Sequence, residues 1–341
     1  MKIVSRLFVI ILICSSAFAQ TKVGTTAANF LTIPVGARAS AMGGAFTAIA
    51  NDASAAYWNP AGLTRMSNNE LNISYSEWLV FTKHNWVSLG IKLDEDDGLA
   101  LSFNQLDYGQ EQITTSDQPN GTGEFWNAQD LAIGISYARN LTDRFSVGAT
   151  VKYITQKIYN ESANAYALDI GVLFYTQLEG LRIGMNISNF GNEMSLSGKD
   201  LLQPVDIDPA HTGNNANIAS NLSTDSWPLP LVFSVGLSYD IINNEDIKYT
   251  AAVDAVVPNN QSNYLNIGGE LTWDNLISFR AGFNSLFKGS THSLSDPLLG
   301  GYSAGFGLQH DFGGFFAKID YAYANYGIFN SVSKISLSIG I

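Results

Sequence analysis

The chain has 341 residues, 46% of them hydrophobic and only 14% charged, with 30 acidic against 18 basic side chains and a net charge of −12. Soluble domains carry about 25% charged residues, so a surface wetted on every side would need an unusually large core. The acidity argues against nucleic acid and anionic lipid as partners.

The first residues read as a processing signal. Lys2 and Arg6 form a basic start, Leu7 to Ile13 an apolar run too short to span a bilayer, and Ala17-Phe18-Ala19 a small-x-small cleavage site. Residues 1–19 are therefore expected to be a cleaved signal peptide, which makes the chain an exported one. Cys14, the sole cysteine, would leave with it, so no disulfide is expected. A lipoprotein reading of Cys14 is set aside because Ile13 stands where a small residue is wanted.

Residues 20–68 do not alternate. They are rich in Ala and Gly, as in Ala41-Met42-Gly43-Gly44-Ala45 and Ala53-Ser54-Ala55-Ala56. Small residues allow close backbone approach, and the Ala-rich parts favour short helices. Asp52 is placed to cap a helix beginning near Ala53, and Pro60 to end it. Such an apolar segment is unwelcome in water but would be shielded inside a lumen, which suggests a hatch or plug.

From residue 69 onward, fourteen short stretches alternate apolar and polar residues. Leu71-Ile73-Tyr75 is the first, Leu131-Ile133-Ile135-Tyr137 the fourth, Phe233-Val235-Leu237-Tyr239 the eighth and Ile335-Leu337-Ile339-Ile341 the last. A period of two puts one residue type on each strand face. An even number of strands with greasy outer faces is the signature of a transmembrane β-barrel. The predicted fold is all-β: a 14-stranded antiparallel barrel over residues 69–341, with the weakest strand near Ala304.

Connection lengths agree with that count. Short Asn/Asp/Gly links such as Asp94 to Gly98, Asn140 to Asp143 and Asp274-Asn275 follow even-numbered strands. Long links follow odd-numbered ones, above all Asp107 to Asn127 and Asn189 to Pro230. Outer-membrane barrels pair short periplasmic turns with long external loops, so both termini are expected in the periplasm. Phe125, Trp126 and Trp227 on the long links are candidate partner anchors or membrane-surface residues.

Tyr137, Tyr239 and Trp273 beside short turns, with Trp78 and Trp86 near the first long-loop side, suit an aromatic girdle; ordinary strand aromatics are the alternative. The inward face carries Ser, Gly and Asn with charges of both signs: Lys92, Lys152, Asp169, Arg182, Lys248, Asp254, Glu270, Arg280, Lys318 and Asp320. Mixed signs suggest ion pairs within the lumen before a selectivity ring.

Enzyme motifs do not hold up. Gly301-Tyr302-Ser303-Ala304-Gly305 matches a nucleophile elbow, but strand pattern continues where the elbow needs a helix. His84, His211, His292 and His310 fit no metal spacing, and Asp94-Glu95-Asp96-Asp97-Gly98 lacks the Glu that closes a calcium loop. No catalytic residue, metal or cofactor is expected.

The stretch Phe30 to Leu63, with Pro34, Gly36-Ala37-Arg38, Ala41 to Ala45, Asp52 and Tyr57-Trp58-Asn59-Pro60-Ala61-Gly62, resembles the opening of the PorV/PorQ family of outer-membrane proteins. Asn189-Phe190-Gly191, Leu229-Pro230 and Arg280-Ala281-Gly282-Phe283 resemble it too. That family is similar in turn to FadL-type transporters, with a fourteen-stranded barrel, a lumenal hatch and an Asn-Pro-Ala element. The resemblance implies a bacterial outer-membrane protein associated with type IX secretion, binding cargo or translocon partners through external loops. A FadL-like uptake channel for hydrophobic small molecules is the alternative it implies, and a plugged structural barrel is the third reading. Hatch and gating candidates are Phe30, Pro34, Arg38, Gly43, Gly44, Asp52, Tyr57, Trp58, Asn59 and Pro60, with movement expected near Asn59-Pro60.

Overall fold

A computed structural model describes residues 23–211, 217–286 and 301–341. The expected signal peptide, His292 and Asn214-Asn215-Ala216 lie outside the described residues. Among the described residues, fourteen strands make one closed antiparallel sheet. They are β1 (Glu70–Glu77), β2 (Lys83–Lys92), β3 (Asp97–Gln112), β4 (Phe125–Thr142), β5 (Phe145–Ile158), β6 (Glu161–Tyr175) and β7 (Leu181–Gly191). The second half is β8 (Val232–Asn243), β9 (Ile247–Pro258), β10 (Tyr264–Trp273), β11 (Ile277–Leu286), β12 (Tyr302–Asp311), β13 (Phe316–Asn325) and β14 (Ser331–Gly340).

Each strand pairs with its neighbours in the chain, and β14 closes on β1 with Leu337 opposite Ile73. Closure leaves no edge, so backbone N–H and C=O groups are paired where no water reaches them. Alternation decides which way each residue points. On β4, Ile133 and Ile135 are half-exposed to the outside, while Ala132 and Ser136 are buried inside. The outer face of the wall is thus greasy, while its inner face carries small and polar residues.

The short turns follow local chemistry. Asp274 and Asn275 both take left-handed φ, 52° and 49°, as the mirror-image turn between β10 and β11 requires. Asp94 accepts the N–H groups of Asp96 and Asp97 at 2.8 and 2.7 Å, which hold its carboxylate below the usual range.

Strands β3 to β6 run 14 to 18 residues, against 8 to 12 elsewhere. One wall therefore stands taller at the long-loop end. Phe125 and Trp126, expected on a loop, instead begin β4, opposite Gln112 and Glu111 beyond a bulge. The polar composition of residues 107–127 hides this extension, because a strand in water needs no apolar face. In the 192–231 connection, Leu202–Val205 pairs with Ile218–Asn221, and Met194 and Trp227 exchange backbone hydrogen bonds.

Two tryptophans depart from the girdle expectation. Trp86 is 3% exposed and faces inward, its ring 5.7 Å from that of Tyr57, and Trp78 is packed edge-on to Tyr326 at 4.9 Å. Val87 and Leu89 face out on β2, so parity sends Trp86 in, where an apolar filling receives it. Tyr137, Tyr239 and Trp273 are exposed at the short-turn end, where a girdle belongs.

Candidate functional site

The inside of the barrel is occupied by the segment before β1. It folds as a 3₁₀ turn (Asn29–Thr32), α1 (Ala37–Ala41), α2 (Ala55–Trp58) and a second 3₁₀ turn (Pro60–Arg65). Helix α1 packs on β12 to β14, and the second turn on β3 to β6, so the segment reaches across from one wall to the opposite one. Val35, Ala37, Met42, Phe46 and Leu63 are completely buried.

Asn59 and Pro60 sit at a welded point. The Asn59 Nδ2 donates to the Thr47 and Val172 carbonyls at 2.8 and 3.0 Å, and Oδ1 accepts the Ala61 N–H at 3.2 Å. Pro60 does not merely end α2: it opens the next turn with Asn59 as its cap. A Cβ at Gly148 would stand 2.5 Å from the Pro60 carbonyl carbon, so glycine there lets the strand touch the turn. Tyr57 Oη donates to the Leu31 and Ile33 carbonyls at 3.1 and 3.0 Å, and Trp58 Nε1 to the Val35 carbonyl at 3.1 Å. Phe30 is buried among Ile154, Met194 and Leu229 near the long-loop end, and the Pro34 carbonyl accepts from the Lys334 ammonium.

Arg38 anchors the other side. Its Nε and Nη2 donate to the two carboxylate oxygens of Glu270 at 2.8 Å each, and Nη1 reaches Asp52 at 2.9 Å. Glu270 also accepts Arg280 Nε at 2.5 Å, and Arg280 Nη1 donates to Asp320 at 2.7 Å. The planar guanidinium fork suits this bidentate pairing, and desolvation strengthens it. Lys152 similarly pairs with Asp169 at 2.6 Å, and Arg182 with Asp240 at 2.5 Å. Mixed inward charges therefore act as internal ion pairs. Asp52 accepts the Ser54 N–H at 3.0 Å just before α2, besides pairing with Arg38.

The Asp254 carboxylate accepts the Phe46 and Thr47 N–H groups at 2.9 Å each, fixing the turn that follows Gly43 and Gly44. Those two glycines have φ of 66° and 78°, and a Cβ at Gly43 would lie 2.7 Å from the Phe283 backbone. Only glycine combines that φ with that approach.

Two cavities of about 360 Å³ flank the segment. The one at the short-turn end is lined by charge: Arg38, Asp52, Glu70, Glu270, Arg280 and Lys318. The one toward the long loops is lined by rings, including Tyr57, Trp58, Trp78, Tyr264 and Tyr326, with Asp254 and Lys152 beside them. Tyr264 and Tyr326 escaped sequence reasoning. Tyr264 stands first in its strand and Tyr326 in a turn, so alternation gives neither a direction.

The expected residues thus divide in place. Tyr57, Trp58, Pro34, Gly43 and Gly44 line the aromatic cavity and Arg38 and Asp52 the charged one, while Phe30, Asn59 and Pro60 belong to the packing around them. Phe125, Trp126 and Trp227 lie apart from both, Phe125 59% and Trp227 45% exposed. Ser303 of the elbow-like motif sits within β12 and donates to the Ala41 carbonyl at 3.0 Å.

A model of the family described as type IX secretion system protein PorV matches residues 16–208, more than half of the chain. No curated protein matches the sequence. A Pseudomonas aeruginosa FadL homologue is similar in structure, with a TM-score of 0.54 at 12% identity, covering 90% of this chain and 98% of that one. The CymD monoaromatic hydrocarbon channel gives 0.56 at 15% identity over 92% and 97%. The Ralstonia pickettii toluene transporter TbuX gives 0.52 at 14% identity over 89% and 97%. Identities this low establish likeness of fold alone.

Proposed function

Because the chain belongs to the PorV family of type IX secretion system proteins and is an outer-membrane barrel of FadL-like fold, we propose that it serves protein secretion by holding cargo or translocon partners at its external rim. In this reading a leader cleaved after Ala19 brings the chain across the inner membrane, residues 20–68 act as the hatch, and the tall wall of β3 to β6 faces outward. The observation that carries it is the rim itself. The extended β3–β4 hairpin and the 192–231 connection present Phe125, Trp126 and Trp227 above a lumen occupied by protein. Exposed aromatics at a rim are the residue types that anchor interfaces.

Affinity purification from outer membranes tests the proposal. The tagged protein should retain translocon or cargo proteins, and the double variant Phe125→Ala/Trp227→Ala should lose about tenfold in retention, since a single aromatic anchor is commonly worth more than ~1 kcal/mol. Equal recovery by the double variant removes these anchors from the proposal. Absence of any protein partner removes the secretion role.

The aromatic cavity favours a second reading, uptake of a hydrophobic small molecule, because the rings in its lining suit an apolar guest. Lipid-like molecules extracted from the purified barrel, with no protein partner, would support it. Neither partner nor ligand would leave a plugged scaffold.

A further inference from the structure

We propose that a solute path runs through the barrel along β9 to β11, closed by the Met42–Gly44 backbone and latched by Arg38 on Glu270, and that it admits small zwitterions bearing an apolar group. This goes beyond partner binding and does not depend on it.

The two cavities share one wall. Thr250, Glu270 and Arg280 line the charged cavity, while Asp254, Asn266 and Asn284, four residues away on the same three strands, line the aromatic one. Four residues of strand are about 13 Å. Between them the inward positions are Ala252, Gly268 and Gly282, directly opposite one another in the sheet. No side chain longer than a methyl projects from the wall at that level. What separates the cavities there is main chain: the Met42 carbonyl rests on Gly268, and the Met42–Gly43 peptide on Gly282.

This septum is held to the strands mainly at its two ends. The Met42, Gly43 and Gly44 N–H groups bond back to Ala39 and Ser40 within the segment, not to the strands. The Asn266 amide meets the Gly44 carbonyl at 3.4 Å. On one side Ser303 holds Ala41 and Glu270 holds Arg38; on the other Asp254 holds Phe46 and Thr47. Asn59, by contrast, is bonded to the Val172 carbonyl of the wall, and Pro60 packs closely on Gly148 and Gly171.

The linings select the solute. The charged cavity offers both signs even without Arg38: Arg280 and Lys318 stand against Asp52, Glu70 and Glu270, so a zwitterion finds partners for each end. The aromatic cavity accommodates an apolar group. A neutral sugar would desolvate the charged lining without pairing its charges.

Phenylalanine and glucose uptake into proteoliposomes tests the path. Arg38→Ala should raise phenylalanine uptake about tenfold over the unaltered protein by shifting the septum toward its lifted state, and glucose uptake far less. A Cβ at Gly268 would collide with the Met42 carbonyl oxygen, so Gly268→Ala must push the septum off the wall while Arg38 and Glu270 are still paired. That variant should also raise phenylalanine uptake, and glucose uptake far less. Where Arg38→Ala fails to assemble, Glu270→Gln keeps the side-chain shape and gives the same reading. Uptake unchanged by the latch variant or by Gly268→Ala overturns the path. An equal gain for glucose overturns its selectivity.

Discussion

Asn59 shows how single residues hold the lumenal segment in place. It is fully buried, and its amide satisfies two carbonyls and one N–H drawn from the segment and from β6. Asn59→Ala removes all three bonds at once. Each group left unsatisfied costs about 1–3 kcal/mol, so the variant should unfold at lower urea, measured in detergent by the shift between folded and unfolded bands on a gel. Two glycines give a matched comparison. Gly313 has φ of 77° with open space around it, whereas Gly43 has φ of 66° with the Phe283 backbone at 2.7 Å from a built Cβ. Gly313→Ala should cost only about 1–2 kcal/mol of left-handed strain. Gly43→Ala adds a clash with the Phe283 main chain in the closed arrangement, so its melting temperature should fall further. Equal losses would show that the close approach contributes nothing.

At the level of the strand, parity is the controlling variable. Ile135 and Ser136 are adjacent on β4, yet the first faces outward, 56% exposed, and the second is fully buried. Ile135→Arg puts a charge into hydrocarbon, at about 2–4 kcal/mol near the midplane. Urea titration of the protein folded into lipid vesicles should register that loss. A value near zero would place this face in water and undo the membrane assignment. Parity also sends Trp86 inward, where its indole joins the packing around Tyr57 instead of the headgroup layer. Strand length is the other element-scale variable. The run from β3 to β6 outgrows its neighbours, which turns an apparent loop at Phe125 into paired backbone and makes the rim uneven.

For the whole molecule, the decisive arrangement is a closed wall around a segment of its own chain. Lipid covers the greasy outer face, and several of the charges inside the barrel meet as pairs. Arg38, Glu270, Arg280 and Asp320 form one continuous chain of charge-assisted hydrogen bonds spanning the segment and three strands. Such a chain is expensive to break, because each partner left behind is a buried unpaired charge. It therefore makes the segment a defined part of the fold, held at discrete points.

The number of strands, their antiparallel order and the greasy exterior were legible in the residues, because a period of two is local and repeats in each strand. The weak strand near Ala304 is present as Tyr302–Asp311 for the same reason. The inward charges were legible as a set. Which of them meet was not, since Arg38 and Glu270 are 232 residues apart and no local pattern relates them. The direction of Tyr264 and Tyr326, the height of the β3–β6 wall and the bare backbone between two cavities arise only when distant strands are brought into register. Alternation is a property of one strand and is written along it. A cavity is a property of the space between strands, and only closure of the barrel creates that space.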